Sequence, residues 1–214
     1  VDLNLGLGAS TGGLSYKGLQ LYHNYKTDAT DKSPKKSNHG VMYTGRSLAF
    51  DGSNDYVDLG DVDTSSNTFT WVTYVKCDSF ADYNPFICQN GQTNGNPLLR
   101  VDATGNIEFR QYSGSEVRTS ESLDTDVWYR IVAVCDNLSI SIYRNGDLLQ
   151  TGTFTSDNNT TGNVHLGRYT AGSDNFFNGE LSNVQIWDKA WTADDVAYDY
   201  ANVQATPNDI ANNN

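Results

Sequence analysis

The chain has 214 residues, with 26 acidic and 14 basic side chains, a formal net charge of -12 and a pI near 4.4. Such a surface excludes wrapping of nucleic acid or insertion into an anionic membrane, because phosphate binding needs clustered Lys and Arg. The one basic cluster, Lys32, Lys35 and Lys36, brings no aromatic stacking platform with it.

The hydrophobic fraction of 37% is low, but 13 Tyr, 8 Phe and 4 Trp supply enough bulk to fill the gap between two sheets. One domain is expected from this length. Residues 1–17 read as a linker-like segment, 18–203 as the folded domain and 204–214 as a polar linker. With Val1 in first place and the run TPNDIANNN at the end, the chain reads as a module of a larger parent protein. No stretch approaches about 18 consecutive apolar residues, so membrane insertion is not expected.

The first clear pattern is SLAFDGSNDYVDLGD, residues 47–61, in which two strand-like runs flank Asp51-Gly52. Asp51, Asp55, Asp58 and Asp61 crowd this stretch. Either they hold a cation, or they are the acidic turns of a solvated sheet edge. In FTWVTYV, Phe69, Trp71, Thr73 and Val75 point one way and Thr70, Val72 and Tyr74 the other, which suits a strand with both faces partly covered. LLRVDATGNIEFRQY reads as a hairpin turning at Asp102 to Asn106. LSISIYRNGDLLQTGTF is a second, with Asn145-Gly146 supplying the positive-φ turn, Leu138, Ile140 and Ile142 facing the core and Ser139, Ser141 and Tyr143 facing away. VHLGRY and NVQIW complete the strands, and Thr192 with Asp195 forms a capping box that predicts a short helix over about 193 to 202. Many short strands with turn signals between them and a single helix predict an all-β sandwich.

Three cysteines cannot all pair, and their spacing matches no zinc site. Buried free thiols are expected, although Cys77 and Cys88 could bridge adjacent strands. Sequons occur at Asn137, Asn158 and Asn159, but a chain with 23 Asn is expected to contain some.

SLAFDGSNDYVDLGD, FTWVTYVK, DVWYRIVAVCD, SISIYRNGDLLQTG and FFNGELSNVQIWDKAWTADDV follow one another in an order that resembles laminin-G-like and pentraxin-like domains of the concanavalin A-like lectin/glucanase superfamily. The resemblance spans roughly residues 18 to 203 and implies a jelly-roll β-sandwich of two curved antiparallel sheets with one short C-terminal helix. It also implies calcium, held where early strand turns meet the last strand, with Asp51, Asn54, Asp55 and Asp188 as the candidate ligands. Ser182 and Asn183 stand where related domains often carry an acid, which would weaken such a site.

Two segments carry the mixture of aromatic faces and fixed polar groups that sugars need. One is GRYTAGSDNFFNGE, with Tyr169, Asp174, Asn175 and Phe176; Phe177 is expected in the core. The other is DSFADYNPFICQNG, with Tyr83, Asn84 and Phe86, beside which Gln89, Arg100, Arg110 and Tyr112 would line a concave face. The superfamily's glucanases place three carboxylates on one strand, whereas only Glu108, Glu116, Glu121 and Glu180 occur here, and none begins that pattern. His23, His39 and His165 lie in unrelated segments and suggest no Ser-His-Asp set. The expected function is a non-catalytic carbohydrate-binding module that recognises a glycan or polysaccharide on an extracellular, cell-surface or virion protein. A structural or adhesion module making protein contacts is the alternative, and a glycoside hydrolase or lyase the second.

Overall fold

The structure is a computed structural model that describes residues 19–23, 47–62, 67–81, 84–89, 94–159, 161–169 and 175–202. The segments 1–17 and 204–214 lie outside the described residues. In chain order the strands are β1 (Leu19–His23), β2 (Leu48–Asp51), β3 (Val57–Asp58), β4 (Thr68–Cys77), β5 (Asn84–Gln89), β6 (Pro97–Val101), β7 (Asn106–Gln111), β8 (Glu116–Ser122), β9 (Trp128–Asp136), β10 (Ser139–Arg144), β11 (Asp147–Thr153), β12 (Val164–Leu166) and β13 (Asn178–Trp187), followed by the helix α1 (Ala193–Asn202). They form a jelly-roll sandwich. A seven-stranded sheet runs β1-β13-β4-β9-β10-β11, with β2 also on β13, and a six-stranded sheet runs β3-β12-β5-β6-β7-β8. All pairings are antiparallel.

Period-two alternation divides each strand between two environments. Phe69, Trp71 and Val75 of β4, with Ile131, Ala133 and Cys135 of β9, face inward and meet Leu99, Phe109 and Val117 of the opposite sheet. The outward residues of the same two central strands, Val72, Val132 and Val134, do not meet water. They form a second cluster with Tyr143, Trp187, Trp191 and Val196, because α1 lies across them. This is why β4 reads as apolar on both faces.

The helix starts as its capping box predicts. The Asp195 amide donates to the Thr192 hydroxyl at 3.1 Å, and the Thr192 amide donates to Asp195 Oδ2 at 2.9 Å. A bulge between Ser182 and Gln185 of β13, with Asn183 at φ 49°, resets the alternation so that Val184 and Ile186 stay inward. At the other end of β13, Gly179 has φ 150° and faces the Lys76 carbonyl oxygen so closely that a Cβ would collide with it.

Cys77, Cys88 and Cys135 are free and buried. The Cys77–Cys88 bridge considered from sequence does not form: Cys77 packs in the core between the sheets, whereas the Cys88 thiol lies in the outward row of the other sheet and donates to the Tyr169 carbonyl at 2.5 Å. Burial raises the Cys77 thiol far above its ordinary value, which makes it inert.

Candidate functional site

The helix covers the outer side of the seven-stranded sheet; on the outer side of the six-stranded sheet the middle residues, Cys88 and Leu98 among them, are buried and the edges are exposed. Register places Asp58, His165, Cys88, Leu98, Arg110 and Glu116 in a row across this six-stranded face. The neighbouring outward row is Arg100, Glu108 and Arg118. Because successive residues alternate, β7 sends Glu108 and Arg110 to this face while Phe109 between them goes into the core.

The charges are paired unequally. Glu108 Oε2 accepts from Arg100 Nε at 2.6 Å and lies 2.5 Å from Nη2, and both side chains are buried. Arg118 pairs with Asp102 and donates to the Thr104 hydroxyl at 2.8 Å. Burial pushes the Asp102 carboxyl up, but hydrogen bonds from the Thr104 hydroxyl and amide, the Asn106 amide and Arg118 outweigh it and hold the group below the ordinary carboxylate value. Arg110 Nη1 stands 3.9 Å from Glu108 and 3.7 Å from Glu116, both beyond hydrogen-bond length.

Aromatic rings sit beside these charges. Tyr112, just past β7, and Tyr169, just past β12, have ring centroids 6.4 Å apart. The Tyr169 amide donates to the Asn175 carbonyl at 3.1 Å, and Arg168 bridges to Phe176, so the two arms of this loop are tied at its base. The Arg168 guanidinium lies 4.5 Å from the Tyr56 ring centroid and 5.7 Å from that of Phe176.

His165, also on this face, is 6% exposed and meets the Tyr56 ring edge-on at 5.8 Å. Burial lowers its pKa; Asp58, 3.8 Å from Nε2, pulls it back up and Arg168 pushes it down again. The unfolded chain, with an ordinary histidine near 6.5, therefore binds this proton before the folded chain does. Stability should be level above about pH 7 and fall as pH drops through about 6.5 towards the lower folded value. Denaturant melts across this range, with His165→Asn removing the slope, check the assignment.

The structure brings together Arg100, Arg110, Tyr112, Tyr169, Asn175 and Phe176 of the expected glycan residues on or beside this face. It places three others elsewhere. Phe86 is fully buried, because it is the extra residue of a bulge between Pro85 and Ile87 and packs on Phe177 at 5.4 Å. Gln89 pairs with Val164 and turns inward, its amide donating to the Gly162 carbonyl at 3.3 Å. Asn84 is buried and donates to the Ser79 carbonyl. Tyr83 and Asp174 lie outside the described residues. Tyr56, Arg118, His165 and Arg168 belong to the face and were missed, although Arg168 adjoins Tyr169 in the GRY triplet.

The four expected calcium ligands are not assembled. Asp51 pairs with Asn178 at the start of β13, whereas Asp188 follows Trp187 at its far end, roughly 30 Å away at about 3.3 Å per residue. Asp51 Oδ1 instead accepts the amides of Ser53 at 2.8 Å and Asn54 at 3.2 Å, which lower its pKa, and Asp55 Oδ2 accepts the Asp51 amide at 3.2 Å. These are side-chain-stabilised turns. Among the described residues no group of three or more His, Cys, Asp or Glu is placed to hold a metal ion.

The chain belongs to the laminin-G-like family of the concanavalin A-like lectin/glucanases superfamily, whose profile matches residues 51–197. No curated protein sequence matches it. Among solved structures it is similar to domain 4 of AbnA, a GH43 extracellular arabinanase from Geobacillus stearothermophilus in complex with arabinotriose, at a TM-score of 0.70 and 18% identity over 86% of this chain and 98% of that one. The native heptameric SAP-like pentraxin from Limulus polyphemus matches at a TM-score of 0.54 and 17% identity, covering 71% of this chain and 79% of that one. The CBM40 of the Ruminococcus gnavus IT-sialidase, bound to alpha2,3 sialyllactose, matches at a TM-score of 0.58 and 15% identity, covering 71% and 94%. Identities this low establish a shared fold. Among the described residues no helix is long and apolar enough to cross a membrane.

Proposed function

We propose that the protein is a carbohydrate-binding module that holds a glycan on the outer face of the six-stranded sheet without cleaving it. The observation that carries this reading is the Tyr112–Tyr169 pair with Arg110 beside it. Two rings offer apolar faces to sugar C–H groups, while a guanidinium whose nearest carboxylates stand 3.7 and 3.9 Å away has donors to give to hydroxyls. Similarity of fold to domains with arabinotriose and sialyllactose bound supports the reading. Glu108, the acid nearest the centre of the face, is filled by Arg100. Glycoside hydrolysis needs a pair of carboxyl groups free to exchange protons or attack, and this one is engaged as an acceptor. Presentation outside the cell, on a multidomain parent that multiplies weak single contacts, fits such a module.

Calorimetric titration with an oligosaccharide panel that includes arabinotriose tests the reading. We expect saturable binding that Tyr112→Ala and Tyr169→Ala each weaken about tenfold or more, the cost of losing a stacking anchor. Product analysis on the bound polysaccharides should find no release of sugars. Binding that survives both substitutions would move the site elsewhere, and an inert panel would favour a module that makes protein contacts.

A further inference from the structure

A cleft of about 750 Å³ opens where the end of β8 meets the β10–β11 hairpin. That volume lies within the range of small-molecule sites, roughly 300–1,000 Å³. Its origin is in the strands. On β9 the inward positions are Cys135, Ala133, Ile131 and Tyr129, and on β10 they are Ile140, Ile142 and Arg144. A phenol and a guanidinium therefore take the last inward places, where an aliphatic core would close the gap. Beside them β11 inserts Leu149 as an extra residue between Leu148 and Gln150, which turns Leu149 onto the core and leaves Leu148, 53% exposed, at the rim.

Arg144 braces the cleft from one sheet to the other. Its Nη2 lies 2.7 Å from Glu121 Oε2, Nη1 donates to the Ser122 carbonyl at 3.1 Å, and the guanidinium stands 5.6 Å from the Tyr129 ring centroid. The Tyr129 hydroxyl donates to Asp124 Oδ2 and accepts from the Asp124 amide, both at 3.2 Å. Walls tied in this way are set before a ligand arrives, so less ordering has to be offset on binding.

The other lining groups indicate the kind of ligand. Among the described residues nothing is hydrogen-bonded to the side chains of Ser120, Ser122 and Asp147, and the Asn145 side chain uses its oxygen on the Arg130 amide, which leaves its two N–H groups. Hydroxyls that donate and accept, a carboxylate that accepts and an amide that donates, set beside the exposed Leu148, match the hydroxyls and C–H patch of a sugar ring. Glu121, Asp124 and Asp147 outnumber the single guanidinium, so the local field opposes an anionic sugar. The outward residues of β8, Glu116, Arg118, Ser120 and Ser122, lead from beside Arg110 to this cleft, roughly 20 Å for six steps at about 3.3 Å each.

We propose that this cleft is a second carbohydrate subsite that takes a neutral sugar unit, so that one polysaccharide lying along the β8 edge engages the module twice. The ligand class rests on the glycan-binding reading above; the place does not. Open on one side, the cleft covers less of a sugar and should bind about tenfold or more weakly than the tyrosine pair, so calorimetry at low sugar concentration reads the first site alone.

Amide shifts of the isotope-labelled full chain, followed by NMR, separate the two sites. At least one of arabinotriose, mannotriose and cellotriose should move the amides of Ser120, Ser122 and Asn145 to Leu149, half-saturating at about tenfold or more the concentration needed at Arg110 and Tyr112. Trigalacturonate should leave the cleft amides in place. Asp147→Ala and Leu148→Ala, at exposed positions where replacement costs little stability, should each weaken the cleft response about threefold or more without changing the response at Tyr112. The polysaccharide of the bound trisaccharide should bind more than tenfold tighter than the trisaccharide, and Asp147→Ala should remove most of that gain. Shifts confined to Arg110 and Tyr112 overturn the second subsite and leave the first standing, and shifts confined to the cleft overturn the first placement alone. Equal response to trigalacturonate, or a stronger one to cadaverine, overturns the neutral-sugar assignment. A polymer gain that survives Asp147→Ala overturns the double engagement, and no shift with any sugar overturns both readings.

Discussion

Asp199→Ala should cost roughly 3–5 kcal/mol of folding stability, the loss expected when one partner of a buried ion pair is removed and the other stays behind. Arg130 is 0% exposed and Asp199 1%. Arg130 Nε donates to Oδ2 at 2.8 Å and Nη2 to Oδ1 at 3.0 Å, a two-pronged pair, while Nη1 donates to the Asn183 carbonyl at 3.1 Å and the guanidinium lies 5.0 Å from the Tyr74 ring centroid. This one side chain therefore joins β9, the β13 bulge, β4 and α1. Without the carboxylate the cation remains under the helix with nothing to balance it, and the surrounding apolar cluster cannot solvate it. A domain stability of about 5–15 kcal/mol leaves little margin for such a loss. Urea unfolding measures the effect, and the double replacement of Arg130 by Met and Asp199 by Leu should recover most of it. A loss below about 1 kcal/mol in the single variant would mean that the helix is not clamped by this pair. Because the clamp lies on the outer side of the seven-stranded sheet, glycan affinity on the other sheet should persist well below the lowered melting point.

That pair also marks where reading the sequence stops. Local chemistry was legible: the Asn145-Gly146 hairpin has both residues at positive φ, 54° and 90°, and the Thr192–Asp195 box begins a helix over Ala193–Asn202. The two-faced apolar pattern of β4 correctly signalled burial on both sides. Arg130, by contrast, reads as an outward polar residue of an alternating strand, and only its encounter with a residue 69 positions away makes it internal. The site divides along the same line. Arg110 and Tyr112 follow from alternation along β7, whose register is regular against β6. Phe86 was read as part of a sugar-binding loop, whereas Asn84–Gln89 is a strand that inserts an extra residue after Pro85 and sends Phe86 and Ile87 both into the core. Arg168 acquires its setting from Tyr56, which β3 delivers by pairing with β12 across more than a hundred residues of chain. The acidic turn at Asp51 was read with both its alternatives, and the backbone amides it accepts show why one turn can hold so many carboxylates.

Phe109→Ala should be comparably damaging, roughly 3–5 kcal/mol, for a reason that involves no charge. Its ring lies where the two sheets meet, with centroids 6.0 Å from Phe69, 5.7 Å from Trp71 and 5.4 Å from Phe154. Truncation removes the ring's own burial and opens a cavity that these neighbours cannot close, because each is anchored in a paired strand or beside one. Phe109→Leu keeps most of the volume and should cost about 1.5 kcal/mol or less. The consequence reaches the opposite side of the same strand. Glu108 and Arg110 are the chain neighbours of Phe109 and take their direction from the pleat that its packing holds, so any movement of β7 into the cavity displaces the guanidinium of the proposed site. The alanine variant should therefore bind glycan more weakly than the leucine variant even at temperatures where both remain folded. Equal affinities would show that the outer face is held by its own ion pairs, independently of the core beneath it.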